Sequence, residues 1–367
     1  MSGPSFRIVI LGLSITSSWG NGHATNYRGL VRALADDGHE VLFLERDVPW
    51  YAENCDLPNP PWGYVALYSS LEELKDCFAV AVRDADLVLV GSYVPQGVEV
   101  GHWVTATARG VTAFYDIDTP VTLSKLAQGH HEYLSPELVS QYDLYLSFTG
   151  GPTLDRLAQE YGARRPRAFY CCVDPSIHYP EPQQQAWDLG YLGTYSSDRQ
   201  PALERLLLAP ARAWPEGRFM VVGPMYPETV QWPRNVVHTS HLPPSEHRNF
   251  YNSQRFTLNI TRADMMRVGW SPSVRLFEAA ACATPVISDY WPGLETFFTL
   301  GREILVARSG RECLEYLRYL SEEERAAIGQ RARERALASH TAAHRAAELV
   351  GYIHAIFEQR RIVKNSR

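Results

Sequence analysis

The chain reads as an α/β protein made of two successive Rossmann-like domains facing one another. Three observations predict this. Short apolar runs of strand length alternate with helical stretches twice over, and each half opens on a strand followed by a glycine-bearing loop. A proline- and glutamine-rich segment, VDPSIHYPEPQQQAWD at 173–188, interrupts the pattern in the manner of an interdomain linker. With 367 residues, the chain also exceeds the size at which a single core usually divides. The predicted boundaries are 1–184, 185–340, and a terminal helix with basic tail at 341–367.

In the first half, Arg7–Leu13 is a continuous apolar strand. Tyr27, Leu30, Val31 and Leu34 recur at helical spacing, Gly38 ends that helix, and Glu40–Leu44 is the next strand. The loop closing this βαβ unit after its first strand is long and carries Gly20-Asn21-Gly22-His23. Loops at the carboxyl ends of parallel strands are where doubly wound sheets bind ligands. Further strands are predicted at Leu87–Val90, Val111–Tyr115, Leu144–Phe148 and Arg167–Cys171, with helices at Leu71–Arg83, Val121–Leu126 and Pro152–Glu160. Pro49–Gly63 reads as a structured loop. In the second half, strands are predicted at Leu189–Leu192, Phe219–Val222, Val236–Thr239, Thr257–Thr261 and Pro285–Ser288. Ser321 with Glu324 forms a capping box. Thr341 opens a last helix whose apolar face is Ala346, Leu349, Val350, Ile353 and Phe357. Arg360, Arg361, Lys364 and Arg367 end the chain as a solvated basic tail.

Net charge is −6 and the pI is near 6.1, which argues against nucleic acid as a partner. No apolar stretch approaches the length needed to span a bilayer, and the start lacks the features of a signal peptide, so a cytoplasmic protein is expected. The six cysteines show no metal-ligand spacing, and Cys171–Cys172 reads as a pair of buried thiols.

Chemistry concentrates in Arg262–Phe298. Ser271 reads as a helix N-cap with Pro272 at the first helical position, which leaves the N–H groups of Ser273, Val274 and Arg275 for an anion. Arg275 and Arg262 add positive charge there. Glu278 lies further into the helix with its Cα–Cβ bond tilted back toward the start, where a carboxylate can meet hydroxyls. An anion beside a polyol describes a nucleoside diphosphate. The plainer alternative is an Arg275–Glu278 pair at i,i+3 on the helix surface.

The motifs SPSVRLFEAAACATPVISDYWPGLETFF and LNITRADM, with SITSSWGNGHATNYRGLVRAL, VLFLERDVPWY, FYDIDTP and LSFTGGPTL in the first half, resemble the CgeB-like (spore maturation protein type) GT-B glycosyltransferases with a family-one glycosyl transferase C-terminal region. The resemblance covers nearly the whole chain. It implies a nucleotide-sugar donor held mainly by the C-terminal domain, an acceptor held mainly by the N-terminal one, and a last helix that crosses back onto the first domain. It further implies that Gly193, Thr194, Tyr195 and Ser196 approach the diphosphate and that Glu278 holds the ribose. His241 and Leu242 would read the base through backbone groups. UDP or dTDP is the favoured nucleotide, and a glycan, lipid-linked or small-molecule hydroxyl the acceptor. Many retaining GT-B enzymes carry a second glutamate eight residues before the one that Glu278 matches. That position is Trp270 here, which leaves the sugar contact and the stereochemical outcome open.

For the donor site no metal or cofactor is expected, because Arg262 beside the helix start can offset charge on a leaving diphosphate. Asp116-Ile-Asp118 has metal-ligand spacing by letter, but it lies in the first domain. There, His23 and Asp118 are the candidates for general base, against the alternatives that each caps a neighbouring helix or turn. Two rival readings are an NAD(P)-dependent enzyme, from Gly20-x-Gly22-x-x-Thr25 with Glu45 as the ribose acid, and a non-catalytic glycan-binding protein that keeps the fold.

Overall fold

The computed structural model describes residues 5–365. It forms two compact units, one comprising residues up to Cys171 together with those from Ala342 onward, the other Cys172–Thr341.

The first unit holds seven strands: β1 (Arg7–Gly12), β2 (Glu40–Arg46), β3 (Tyr64–Tyr68), β4 (Leu87–Gly91), β5 (Val111–Asp116), β6 (Leu144–Ser147) and β7 (Pro166–Ala168). Their order is β3-β2-β1-β4-β5-β6-β7 and every neighbouring pair is parallel. Such a sheet is covered on both faces, which is why LVLVG in β4 is buried throughout. The strand order reverses between β1 and β4, so the loops after β1, β4 and β5 flank the crevice where doubly wound sheets place ligands. Helix Ala342–Asn365 buries Ala346, Leu349, Ile353 and Ile356 in this unit. His354 packs edge-on against Phe6, and Arg360 pairs with Asp143 at 2.7 Å. The cross-back helix is therefore present. Arg367, the end of the basic tail, lies outside the described residues.

The second unit holds β8 (Trp187–Leu192), β9 (Phe219–Val222), β10 (Val236–Thr239), β11 (Gln254–Asn259), β12 (Val286–Ser288) and β13 (Leu305–Val306), in the order β10-β9-β8-β11-β12-β13, again all parallel. Leu189, Tyr191, Phe219, Val221, Phe256 and Leu258 form the centre of its core. Here the order reverses between β8 and β11. Among the described residues, no helix is long and apolar enough to cross a membrane.

Several elements differ from expectation. β3, not predicted, follows the proline-rich loop as an edge strand that leaves Tyr64 and Leu67 of its apolar run YVALY exposed. Pro49–Glu53 within that loop is helical, as is Gly97–Thr107. Ala263–Val268, ahead of the Ser-Pro-Ser start, is a short helix. The predicted linker begins inside the second unit: Val173 N–H donates to His340 O, and β8 starts at Trp187. Ser321 does accept from the Glu324 N–H, and Cys171 and Cys172 are both buried.

Candidate functional site

In the second unit the decisive side chain is Arg275. The helix that carries it runs Val274–Ala281, with Ser273 and not Ser271 as its N-cap residue. Ser273 makes no side-chain cap, because its hydroxyl donates to Asn259 Oδ1 at 2.8 Å. Arg275 is 9% exposed. Its Nε donates to the Leu192 carbonyl at 2.6 Å, at the end of β8, and its Nη1 to Asn259 Oδ1 at 2.9 Å, at the end of β11. The guanidinium thus spans the switch point, with its carbon 5.0 Å from the Tyr191 ring centre. Gly193 leaves it room: a Cβ there would stand 3.1 Å from Nη2 and 2.5 Å from the Tyr191 hydroxyl. Asn259 is in turn held by Ser288 Oγ at 2.9 Å. The alternative surface pair does not form, since Arg275 turns to Leu192 and Asn259 and Glu278 turns to Tyr251.

Two more arginines gather here. Arg199 donates to the Thr194 carbonyl at 2.5 Å. Its pKa is lowered by burial first, and the charges of Arg275 and Arg262 add to that effect against an opposing contribution from Tyr191. Like charges brought together at strand ends, with no carboxylate paired to any of the three among the described residues, favour an anion. Arg199 was missed in the sequence, where its loop gave no helical or strand period. Asp198 ties the loops on either side of the switch point by accepting from Ala263 N–H at 2.8 Å. Asp289, after β12, accepts from Thr261 N–H and Oγ1 at 2.8 and 2.9 Å.

Some expected contacts are otherwise engaged. The Gly193 and Tyr195 N–H groups, expected near a diphosphate, donate to the carbonyls of Val222 and Pro224. The neighbouring loop after β9 therefore consumes them, and Arg275 and Arg199 carry the charge at this end. Leu242 O faces the His247 ring at 3.3 Å, and His241 is exposed. Glu278 is 3% exposed, and its Oε2 accepts from Tyr251 Oη at 2.9 Å. Trp270 sits at φ 45°, a strained backbone for a bulky residue, with its N–H on Pro292 O at 2.7 Å.

In the first unit, the structure brings His23 and Asp118 together at the crevice between β1 and β4. Asn21 Oδ1 accepts from the His23 N–H at 3.0 Å, while Asn21 Nδ2 donates to Ser14 O and Ser17 O. Gly20 takes φ 61° just before, and His23 opens helix His23–Asp36 behind Gly22. His23 Nε2 lies 3.9 Å from Asp118 Oδ2. Asp118 makes no side-chain cap; its Oδ2 accepts from Tyr93 Oη at 3.1 Å. Tyr93, unforeseen in the sequence, stands after β4 at φ 66°, 4.6 Å from the Tyr133 ring. Asp116 turns inward to Tyr145 Oη at 2.6 Å and Thr122 Oγ1 at 2.7 Å, so it does not join Asp118 as a ligand pair. Glu45 is also committed. Buried at 2% exposure, it accepts from Ser14 Oγ, Ile15 N–H, Thr16 N–H and Thr16 Oγ1, and so shapes the first loop.

Residues 199–351 match a family described as glycosyl transferase-like. No curated protein matches the chain by sequence. Solved structures that do match include sucrose-phosphate synthase from Thermosynechococcus elongatus, with 15% identity, 96% of this chain and 99% of that one covered, and a TM-score of 0.69. HepE of Anabaena in complex with UDP-glucose gives 12% identity, coverage of 95% and 100%, and a TM-score of 0.71. An alpha-glucosyltransferase in complex with UDP-glucose and DNA containing an abasic site gives 13%, 96% and 100%, and 0.74. The fold these likenesses define is GT-B.

Proposed function

We propose that this chain is a glycosyltransferase that moves a sugar from a nucleoside-diphosphate sugar to an acceptor hydroxyl without a catalytic metal. The observation that carries the reading is Arg275, fixed by Leu192 and Asn259 across the switch point of the second sheet with Arg199 and Arg262 near it. Breaking the bond from sugar to diphosphate builds negative charge on the departing oxygen. Cations already held in place stabilise that charge without reorganising. The two UDP-glucose complexes among the similar structures support UDP as the nucleotide; dTDP shares its pyrimidine. The quoted motifs favour the CgeB-like subgroup and a hexose. Ser271, Ser273 and Val274 border the diphosphate, and Glu278, with Tyr251 fixing one oxygen, takes the ribose hydroxyls.

The first unit supplies the acceptor chemistry. His23 removes the proton from the acceptor hydroxyl, Asp118 stabilises the imidazolium that forms, and Tyr93 holds Asp118. At 3.9 Å, His23 and Asp118 stand within ion-pair but not hydrogen-bond range, and catalytic contacts often tighten only once substrate binds. The dinucleotide reading loses its main support, because Glu45 is saturated by the first loop. Transfer by His23→Ala is the direct test: loss of product formation with unchanged UDP affinity is expected. Wild-type turnover would remove His23 from the mechanism.

A further inference from the structure

One group of metal-ligating side chains shares only Glu278 with this chemistry. His178, His247 and Glu278 each bring one ligand atom to within 4.8 Å of the others. They arrive from three separate elements: the segment before β8, helix Pro244–Asn252 and helix Val274–Ala281. Sequence spacing could not have revealed a group so scattered. His178 is 4% exposed, and neither of its ring nitrogens has a hydrogen-bond partner. A buried imidazole must carry at least one N–H and usually one lone pair, so leaving both unmet is costly and calls for an explanation. Its Nε2 is 3.9 Å from Glu278 Oε1, too far for a hydrogen bond.

The other two ligands are oriented from behind. Tyr251 Oη fixes Glu278 Oε2 at 2.9 Å. His247 Nε2 faces the Leu242 carbonyl at 3.3 Å, which places its proton there and leaves Nδ1 with the lone pair. Ligands held by a hydroxyl and a backbone carbonyl are the usual surroundings of a bound metal. We propose that His178, His247 and Glu278 bind one divalent transition-metal ion of the zinc class, with water as a fourth ligand. Two imidazoles and one carboxylate suit zinc, cobalt or nickel, while magnesium and calcium prefer oxygen alone. Bonds of about 2.0–2.2 Å in a tetrahedral site bring ligand atoms to roughly 3.3 Å, so the group closes by up to about 1.5 Å on binding. Rotation of the His178 ring, which no hydrogen bond holds, supplies that movement. The ion's role is structural, tying the segment before β8 to two helices of the second unit.

The experiment uses the full-length protein, stripped with a chelator and titrated with Co²⁺ as a spectroscopic probe and with Zn²⁺. One equivalent of Co²⁺ with visible absorption of a four-coordinate site, its displacement by Zn²⁺, and a Zn²⁺-dependent rise in melting temperature that Mg²⁺ does not reproduce are expected. His178→Phe, which fills the volume, and His247→Asn should each lose stoichiometric binding while keeping the wild-type circular dichroism spectrum and UDP affinity. Substoichiometric Co²⁺ and Zn²⁺ binding by the wild type overturns the proposal, as does undiminished binding in both variants. Because the readout is the metal and the variants are histidines, failure here leaves the donor reading standing, and failure of nucleotide binding leaves this one standing.

Discussion

Asp116 shows how a single buried group sets a pH dependence. Burial raises its carboxyl to about 6 from 3.8, against the opposing hydrogen bonds from Tyr145 and Thr122. Between those values the folded chain holds a proton that the unfolded chain has released. The stability that Asp116 confers is therefore fully present below the unfolded pKa and is lost as pH rises through the folded one, by about 3 kcal/mol at neutral pH. Asp116→Asn cannot titrate there, so wild type should lose stability relative to it between pH 4 and 7, as read from urea unfolding. A constant difference across that range would refute the assignment. Arg275 is the other residue whose environment fixes a prediction. Arg275→Ala should weaken nucleoside-diphosphate binding by about 1.5–3 kcal/mol, the scale of a charge-assisted hydrogen bond. Glu278→Ala should weaken it by about 1–3 kcal/mol, and equal calorimetric affinities in wild type and variant would remove Glu278 from the ribose.

The helix Val274–Ala281 illustrates what an element adds to its residues. It ends in a left-handed cap: the Thr284 and Ala283 N–H groups donate to Ala279 O and Ala280 O, and Ala283 sits at φ 55° where glycine is usual. Ala283→Gly should stabilise the second unit by about 0.5–1 kcal/mol, the strain relieved less the added chain entropy. A lower melting temperature would contradict this. Helix Glu322–Ser339 meets the same cap through Gly329, where a Cβ would stand 2.1 Å from Ala283 O. Gly329→Ala should therefore cost about 1–3 kcal/mol through overpacking, and a neutral effect in thermal unfolding would show that the contact yields. The sequence pattern located this helix and the arginine on it, because apolar period and Ser-Pro-Ser are local signals. It misplaced the cap by two residues, because Ser273 is drawn to Asn259, a partner on another strand. Trp270 at φ 45° was likewise invisible, since its conformation is imposed by the turn at Pro292.

At the scale of the whole molecule, the two parallel sheets were legible because each buried strand announces itself as an apolar run. β3 and β13 were not, because β3 is a short apolar run beside a proline-rich loop and β13 is two residues long. His23 and Asp118 could be singled out by residue type, yet only the strand order explains why residues so far apart in sequence share one crevice, and only it brings Tyr93 to them. Arg199 and the histidines beside Glu278 depend on convergence of distant segments, which no spacing encodes. The central claim is that the second sheet's switch point holds a nucleoside diphosphate through Arg275. Calorimetric titration of wild type and Arg275→Ala with UDP, dTDP, GDP, ADP and NAD tests it most directly. Wild type should bind UDP or dTDP in preference to the purine nucleotides and NAD, and Arg275→Ala should lose most of that affinity. Tight NAD binding with no response to any nucleoside diphosphate, or diphosphate binding unchanged in Arg275→Ala, would contradict it.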